Sequence, residues 1–518
     1  MDRYRMLPSY RYYDVEGTSP LTLDKSVGKP LRDYKIYGNS IQDGTPSPDN
    51  PVEIQGCGDK SKNLLTADDG YVYSNNYNAN IVHYDKNTQV FTINGIGMQV
   101  HIPLEKIVPS GTTVSLFAEI VNDDYEIVNK LNIGGYGVSN IWQNDLTFTP
   151  TSSKKQSKVF TTTDDVDRFC IFIYSSWQAQ NVKMRITYAI HDKELTEYEP
   201  YGYKIPIEVG GKNLFDVNGD INRDYKGNPS PNQFHGNHIV SGNQFLIKTS
   251  TWATSSFGQF INVRIGKTYT VSLNVIEWGS CPTLEVELKA INPNALIIKP
   301  RINTGENTMT FSFTATTEVV HLAFAQTGIS YSDNGLIIGN VQVEEGDTAT
   351  EYEPYRKEIT NIYLDEPLYK IGDYADYIDF KNGKVVKQIN KISVNGTEEW
   401  SANTTKNLTQ VFAQTTLKPH SGKPQAYCSN RFIADNSGDT EKVAIQQDLF
   451  IAVNKTRAST VDEFKEWLGE NPTDIFYTPV KPTEQPITLP PILTHKGTNV
   501  ISVDTNIQPS NMQIQYYK

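Results

Sequence analysis

The chain has 518 residues, with 47 Lys and Arg against 59 Asp and Glu, a formal charge of −12. This acidity disfavours nucleic acid and anionic membrane as partners. No apolar run approaches the ~20 residues needed to cross a bilayer, so no membrane insertion is expected. Charged residues make up only 20% while Tyr numbers 30, a balance suited to β-sheet, with Gly- and Asn-rich turns between strands. The length has room for three or four domains.

Met1 to Asp14 has no apolar h-region, so no signal peptide is read and synthesis in a cytoplasm is expected. This segment carries Arg3, Arg5 and Arg11 among Tyr4, Tyr10, Tyr12 and Tyr13. A basic aromatic arm can stack on nucleic acid, but in an acidic chain residues 1–18 read better as an arm that docks on a neighbouring subunit. Plain disorder is the competing reading.

Residues 19–60 read as a scaffold or attachment β segment. Two internal repeats follow. Thr-Glu-Tyr-Glu-Pro-Tyr occurs at Thr196–Tyr201 and again at Thr350–Tyr355, while Lys-Asn-Leu plus an apolar residue opens at Lys62–Leu65 and Lys212–Phe215. The openings lie 150 residues apart (62 to 212) and the closings 154 (196 to 350). A solenoid repeat runs about 20–50 residues, so this is a domain-sized tandem duplication, read as modules 61–201 and 211–355.

Segments of the two modules correspond. Val114-Ser115-Leu116 matches Val271-Ser272-Leu273 after Gly111 and Gly266, and Phe160-Thr161 matches Phe313-Thr314. Val166, Phe169 and Ile171 match Val319, Leu322 and Phe324. Apolar and polar residues alternate with period two between turn clusters, which predicts antiparallel β-sandwiches. Residues 202–210, 356–382 and 483–518 read as further strands of the scaffold, into which the modules are inserted.

Residues 383–482 form a third, α+β region. Thr460 with Glu463 is a capping-box spacing, Val461, Phe464, Trp467 and Leu468 share one face, and Gly469 is the expected stop. Trp467 continues the apolar stripe and is assigned to the core.

The chemistry-bearing patterns are sparse. Cys57, Cys170, Cys281 and Cys428 are more than 100 residues apart, so no Cys-x-x-Cys site is present and four unpaired thiols are expected. His235-x-x-His238 sits in a Pro/Asn/Gly-rich loop without neighbouring ligands and reads as two loop histidines. Asp68-Asp69, Asp123-Asp124, Asp164-Asp165 and Glu344-Glu345 are adjacent acids. Neighbours on a strand point to opposite faces, which is not the geometry of a glycosidase pair. No catalytic residue and no metal site is assigned, and the chain is not expected to be an enzyme. Sugar recognition needs flat aromatic faces beside amides and hydroxyls. Trp142, Trp177, Trp252 and Trp278 have such neighbours and are the candidate carbohydrate platforms, with burial in the sandwich core as the competing reading.

Ile265–Leu273 (Ile-Gly-Lys-Thr-Tyr-Thr-Val-Ser-Leu) and Ile337–Gly346 (Ile-Ile-Gly-Asn-Val-Gln-Val-Glu-Glu-Gly) together resemble the jelly-roll carbohydrate-binding modules attached to bacterial glycosidases. The first module lacks the Gly-Asn-Val-Gln ending, having Met184-Arg185-Ile186-Thr187-Tyr188 instead, so a shared fold is expected rather than a shared ligand. Modules of that type often carry structural calcium; no ligand positions for it are readable here, and no other cofactor is implied.

Over nearly the whole chain from about residue 19, the sequence resembles tail and baseplate proteins of phages and prophages of Gram-positive bacteria. The likeness rests on Lys29–Ser40, on Gly44-Thr45-Pro46-Ser47-Pro48-Asp49-Asn50-Pro51-Val52, and on Gly211–Phe215. It continues in Tyr377-Ile378-Asp379-Phe380 and in the Glu463-Phe464-x-x-Trp467-Leu468 helix leading to Tyr477-Thr478-Pro479. It implies a tail-tip component of the virion, with other tail proteins and bacterial cell-surface polysaccharide as partners and a homotrimer as the assembly. A glycan depolymerase and a purely structural spacer are the alternatives.

Overall fold

The computed structural model describes residues 12–27, 31, 33–66, 71–75, 81–85, 88–174, 176–219, 238–249, 257–291, 294–327, 331–435 and 438–517. The chain is mainly β, with tandem antiparallel sandwiches, a scaffold β domain and a C-terminal region holding one short helix.

The scaffold is assembled from segments remote in sequence. One sheet runs in the order Tyr12–Gly17, Asn511–Tyr517, Asp33–Tyr37, Tyr377–Asp379, Lys384–Lys387, Thr483–Pro486. The other runs Leu21–Val27, Lys496–Val503, Tyr203–Gly210, Lys357–Leu364. Alternate residues of both sheets meet in one core that includes Leu23, Tyr34, Ile36, Ile207, Ile362, Ile378, Ile501 and Ile514. Tyr12 pairs with Tyr517, so from Tyr12 onward the expected docking arm is a strand of the scaffold instead. Its alternation is satisfied by pairing with the last strand, a partner 505 residues away that local reading does not supply. Residues 1–11 lie outside the described residues.

Both repeated modules are two-sheet sandwiches of the same topology. In the first, Trp142–Phe148, Leu131–Gly137, Val166–Phe172, Met98–Val108 and Tyr71–Asn75 face Lys155–Thr161, Thr113–Ile120, Gln178–Ile190, Val90–Ile96 and Ile81–Asp85. In the second, Ala295–Ile298, Thr283–Ala290, Val319–Thr327 and Phe257–Asn262 face Thr308–Thr314, Thr268–Glu277, Tyr331–Glu345, Gln244–Thr249 and His238–Ser241. Each encloses its own apolar core.

The two sequence repeats are halves of one clasp. Asn63, 2% exposed, donates from Nδ2 to the carbonyls of Ile186 (3.0 Å) and Glu199 (2.9 Å), while its Oδ1 accepts from the amides of Leu65 (3.2 Å) and Tyr188 (3.1 Å). Asn213, 1% exposed, repeats all four bonds, to Val341 (3.0 Å), Glu353 (3.1 Å), Phe215 (3.0 Å) and Val343 (3.1 Å). The amide thus ties the segment entering each module to its last strand and to the hexapeptide by which the chain leaves.

The clasp also fixes the alignment of the copies and corrects one match. Tyr188 lies opposite Leu116, and Val343 opposite Val271. Leu116 therefore corresponds to Val271 and Val114 to Tyr269, two residues from the sequence match of the Val-Ser-Leu tripeptides. A slip of two leaves every side chain on its original face, so alternation alone does not detect it. Phe160 and Phe313 do correspond, lying opposite Val114 and Tyr269 respectively.

The third region departs from the scaffold later than residue 383, because Lys384–Lys387 pairs with Tyr377–Asp379 within the scaffold sheet. Buried Asp376 marks its root, accepting from the amides of Gln388 (2.7 Å), Ile389 (2.9 Å) and Tyr369 (3.0 Å) and pairing with Lys387 at 2.9 Å. The helix spans Val461–Glu470 with the Thr460–Glu463 capping box formed. It passes through Gly469 and is capped by Asn471, whose amide reaches the Trp467 and Leu468 carbonyls. Phe464 stacks on Phe412 at 4.2 Å, and Trp467 packs on Phe432 and Phe464. The Pro-rich Gly44–Val52 segment docks on this region through a bidentate Asp49–Arg457 pair (2.8 and 2.9 Å) and an Arg431 bond to the Pro48 carbonyl.

Replacing Asn213 by alanine leaves two carbonyls and two amides of the module interior without their partner. At roughly 1–3 kcal/mol for a buried polar group left unsatisfied, with relaxation recovering part, the second module should lose about 3 kcal/mol or more. Asn63→Ala should do the same to the first module. Urea denaturation followed by tryptophan fluorescence checks this, and a loss below ~1 kcal/mol for both would show that the clasp does not hold the modules together.

Candidate functional site: an aromatic face on the first module

The sheet containing Leu131–Gly137 and Val166–Phe172 turns one face inward and the other outward by strict alternation. Ile133, Phe169 and Ile171 enter the core. Asn132, Gly134 and Tyr136 alternate with the inward positions, and Tyr136 lies opposite both Trp142 and Arg168. On this outer face the rings form a continuous chain. Tyr136 meets Trp142 edge-on at 6.1 Å, and Trp142 meets Phe172 at 5.7 Å. Phe172 meets Tyr174 at 5.5 Å, and Tyr174 meets Trp177 at 5.4 Å. Tyr174 is 56% exposed, and Tyr136, Trp142, Phe172 and Trp177 are half-buried.

Polar groups flank the rings. Arg168 lies over Tyr136 at 5.1 Å and donates to Asn140 (2.8 Å) and Asp167 (3.1 Å). Its Nε and the Oδ1 of Asn132 are buried without hydrogen-bond partners. Lys130 stands 5.9 Å from the Trp177 ring. The surface therefore offers stacking faces with charged side chains at their edge, the complement of a saccharide's apolar faces and hydroxyl rim.

Beneath the rings His101 is fully buried, 2.9 Å from Gln99 and 4.8 Å from Tyr136. Burial, aided by the Arg168 charge, pushes its pKa from 6.5 down to about 4.

The four candidate tryptophans separate. Trp142 and Trp177 join the ring chain, although Trp177 also packs against the core of its module. Trp278 packs against the core of the second module with its Nε1 buried and unpartnered. Trp252 lies outside the described residues, as do His235 and the Asp68-Asp69 pair. Tyr136, Phe172, Tyr174, Arg168 and Asn132 are additions made by the structure. The period-two spacing of Phe172 and Tyr174 was their only sequence signal.

The adjacent acids serve local structure. Asp123 pairs with Lys154 and Asp124 accepts from Asn122 at 2.9 Å. Asp164 and Asp165 cap the amides of Ser139 (3.0 Å) and Ser110 (2.8 Å). Glu344 is buried on Gln342 and Thr350, while Glu345 faces Arg264 and Lys267. Among the described residues no group of three or more His, Cys, Asp or Glu is placed to hold a metal ion, and the four cysteines are free thiols.

The same face of the second module differs in chemistry. Register places Glu285 at the position of Asn132, Glu287 at Gly134, Lys289 at Tyr136, Leu296 at Trp142 and Ala325 at Phe172. Glu285 is bound by Lys299 (2.8 Å) and Arg301, and Glu287 by Lys289 (2.7 Å) and Lys299 (3.4 Å). Glu285 and Glu287 share a strand face, and both are held by cations.

No protein-family model matches the sequence, and no curated protein does. Among solved structures the chain is similar to the CBM22-1–CBM22-2 tandem domain of Paenibacillus barcinonensis Xyn10C, at 10% identity and a TM-score of 0.22 over 56% of this chain and 98% of that one. It is also similar to truncated AlyQ with CBM32 and alginate lyase domains, at 11% identity and 0.20 over 83% and 99%. A third is the M60 catalytic domain with CBM51-1 and CBM51-2 from Clostridium perfringens ZmpB, at 6% and 0.15 over 64% and 43%.

The His101 shift has a defined sign. The folded state holds the imidazole neutral down to about pH 4, whereas the unfolded chain takes up the proton near pH 6.5. The stabilisation is complete above 6.5 and is lost as pH falls towards 4. The first module's unfolding midpoint should therefore fall with acidification across that window, and His101→Gln should flatten the slope. An unchanged slope in the variant would assign the acid sensitivity to other groups.

Proposed function

We propose that this chain is a non-enzymatic attachment protein that holds bacterial cell-surface glycan on the outer face of its first sandwich. The observation that carries this reading is the unbroken row of five rings from Tyr136 to Trp177, with Arg168 and Lys130 standing over the rings at its two ends. A row of rings accepts successive sugar units by stacking. The second module, with charged and small residues at the matching positions, acts as a spacer.

The sequence resemblance to phage and prophage tail proteins supplies the setting. In that setting the scaffold anchors the chain among other tail proteins at the tip of the virion, and the inserted units project from it. The trimer also comes from the resemblance. Weak sites repeated across copies gain avidity through effective concentration, so modest affinity per site suffices.

Trp142→Ala and Tyr174→Ala should each weaken retention on host cell wall several-fold, on the order of 1 kcal/mol per ring, with the sandwich still folded by circular dichroism. Leu296→Ala, at the matching place in the second module, should change nothing. Equal retention of all three variants and wild type would remove the ring row as the site. Absence of wild-type binding would favour the spacer, and steady release of reducing sugar would favour the depolymerase.

A further inference from the structure

The first module has a second outer face, on the sheet containing Lys155–Thr161, Thr113–Ile120 and Gln178–Ile190. Part of it turns towards the scaffold, and a cleft of about 720 Å³ lies between the two. Small-molecule sites typically measure ~300–1,000 Å³ and favour junctions between domains.

Strand register sets three side chains in a row along the module wall, with Lys155 opposite Glu119 and Glu119 opposite Arg185. Donor, acceptor and donor thus alternate across strands spaced about 4.8 Å apart. Glu119 and Arg185 approach only to 3.6 Å, which leaves hydrogen-bonding capacity on both. The guanidinium lies 5.6 Å from the centre of the Tyr198 ring. Tyr198 is fixed in place, its hydroxyl bonded to the carbonyl (3.3 Å) and Oε1 (3.0 Å) of Gln89. The opposite wall is scaffold, where Asn361, Tyr363 and Gln485 line the cleft. Three cations and four carboxylates among the lining residues nearly cancel.

We propose that this cleft is a second saccharide site, taking a neutral pyranose unit between the first module and the scaffold. The ligand class rests on the attachment reading above; the location does not. A sugar hydroxyl donates and accepts at once, which suits the alternating row. The near-cancelling charges of the lining give an anionic sugar no net attraction. Because the two walls belong to different units, an occupied cleft ties the module to the scaffold and holds the aromatic face in one orientation.

The test uses the full chain, with saturation-transfer NMR and calorimetry against glucose, galactose, N-acetylglucosamine and rhamnose, and glucuronate as the anionic comparison. The variants are Arg185→Gln, Asn361→Arg, which fills the cleft from an exposed position on the scaffold wall, and Trp142→Ala at the aromatic face. At least one neutral sugar should show a binding component that Arg185→Gln weakens about tenfold or more. Asn361→Arg should abolish that component, and Trp142→Ala should leave it intact. Because Asn361 lies on the other wall, its variant tests the cleft even if Arg185→Gln disturbs packing in the module. Three results would overturn the proposal: no neutral sugar binding beyond what Trp142→Ala removes, wild-type affinity in both cleft variants, or tighter binding of glucuronate than of glucose. Failure of the aromatic face alone would appear as wild-type binding with no Trp142-dependent component and the cleft component present.

Discussion

Four hydrogen bonds to one buried asparagine amide organise each half of the duplicated core. Asn63 and Asn213 each bind the segment that enters their module, the strand that ends it, and the carbonyl of a hexapeptide glutamate. A buried amide has two donors and two acceptor sites, and here every one is used, so the geometry is over-determined. The ends of each sandwich are therefore fixed beside one another. That closeness lets a domain interrupt a scaffold while Tyr203–Gly210 and Lys357–Leu364, strands on either side of the second module, still pair along their full length. The glutamates of the same hexapeptides carry the clasp outward. Glu199 accepts from the Lys62 amide, and Glu353 accepts from the Thr498 amide of the scaffold.

With the frame held by backbone-directed bonds, the outer faces were free to diverge. The first module placed Tyr136, Trp142 and Phe172 where the second has Lys289, Leu296 and Ala325. Stacking rings on a solvent-facing sheet contribute little to the core beneath them, whereas the cation-held carboxylates of the second module close its face with charge. Buried ion pairs of this kind are weak evidence for stability, and here they occupy the positions that carry the ring row in the first module. One fold thus carries two chemistries, and the difference lies in side chains that the sandwich core does not need.

The site was legible only in part. Trp142 and Trp177 stood out because tryptophan is rare and their neighbours are polar. Tyr136, Phe172 and Tyr174 did not, since in a chain with 30 tyrosines and 20 phenylalanines a single ring carries no signal. Their meaning comes from being neighbours across three strands and a turn, which depends on pairing register. Trp278 has comparable sequence surroundings and packs against a core. The cleft beside Tyr198 had no linear signature, as its walls come from residues such as Arg185 and Asn361 that lie in different units.

By itself the sequence determined the duplication, the β class and the one helix. All three follow from local periodicity, a capping box and the reuse of two short motifs, which need no knowledge of distant partners. The insertion of three regions into one scaffold was readable as recurring strand-like phrases. Only the tertiary structure decided that Tyr12–Gly17 closes the scaffold against Asn511–Tyr517, that the Val-Ser-Leu match is displaced by two residues, and which rings meet. Each of those depends on which strands lie side by side, and strand pairing is set by contacts over hundreds of residues that a pattern of period two leaves undetermined.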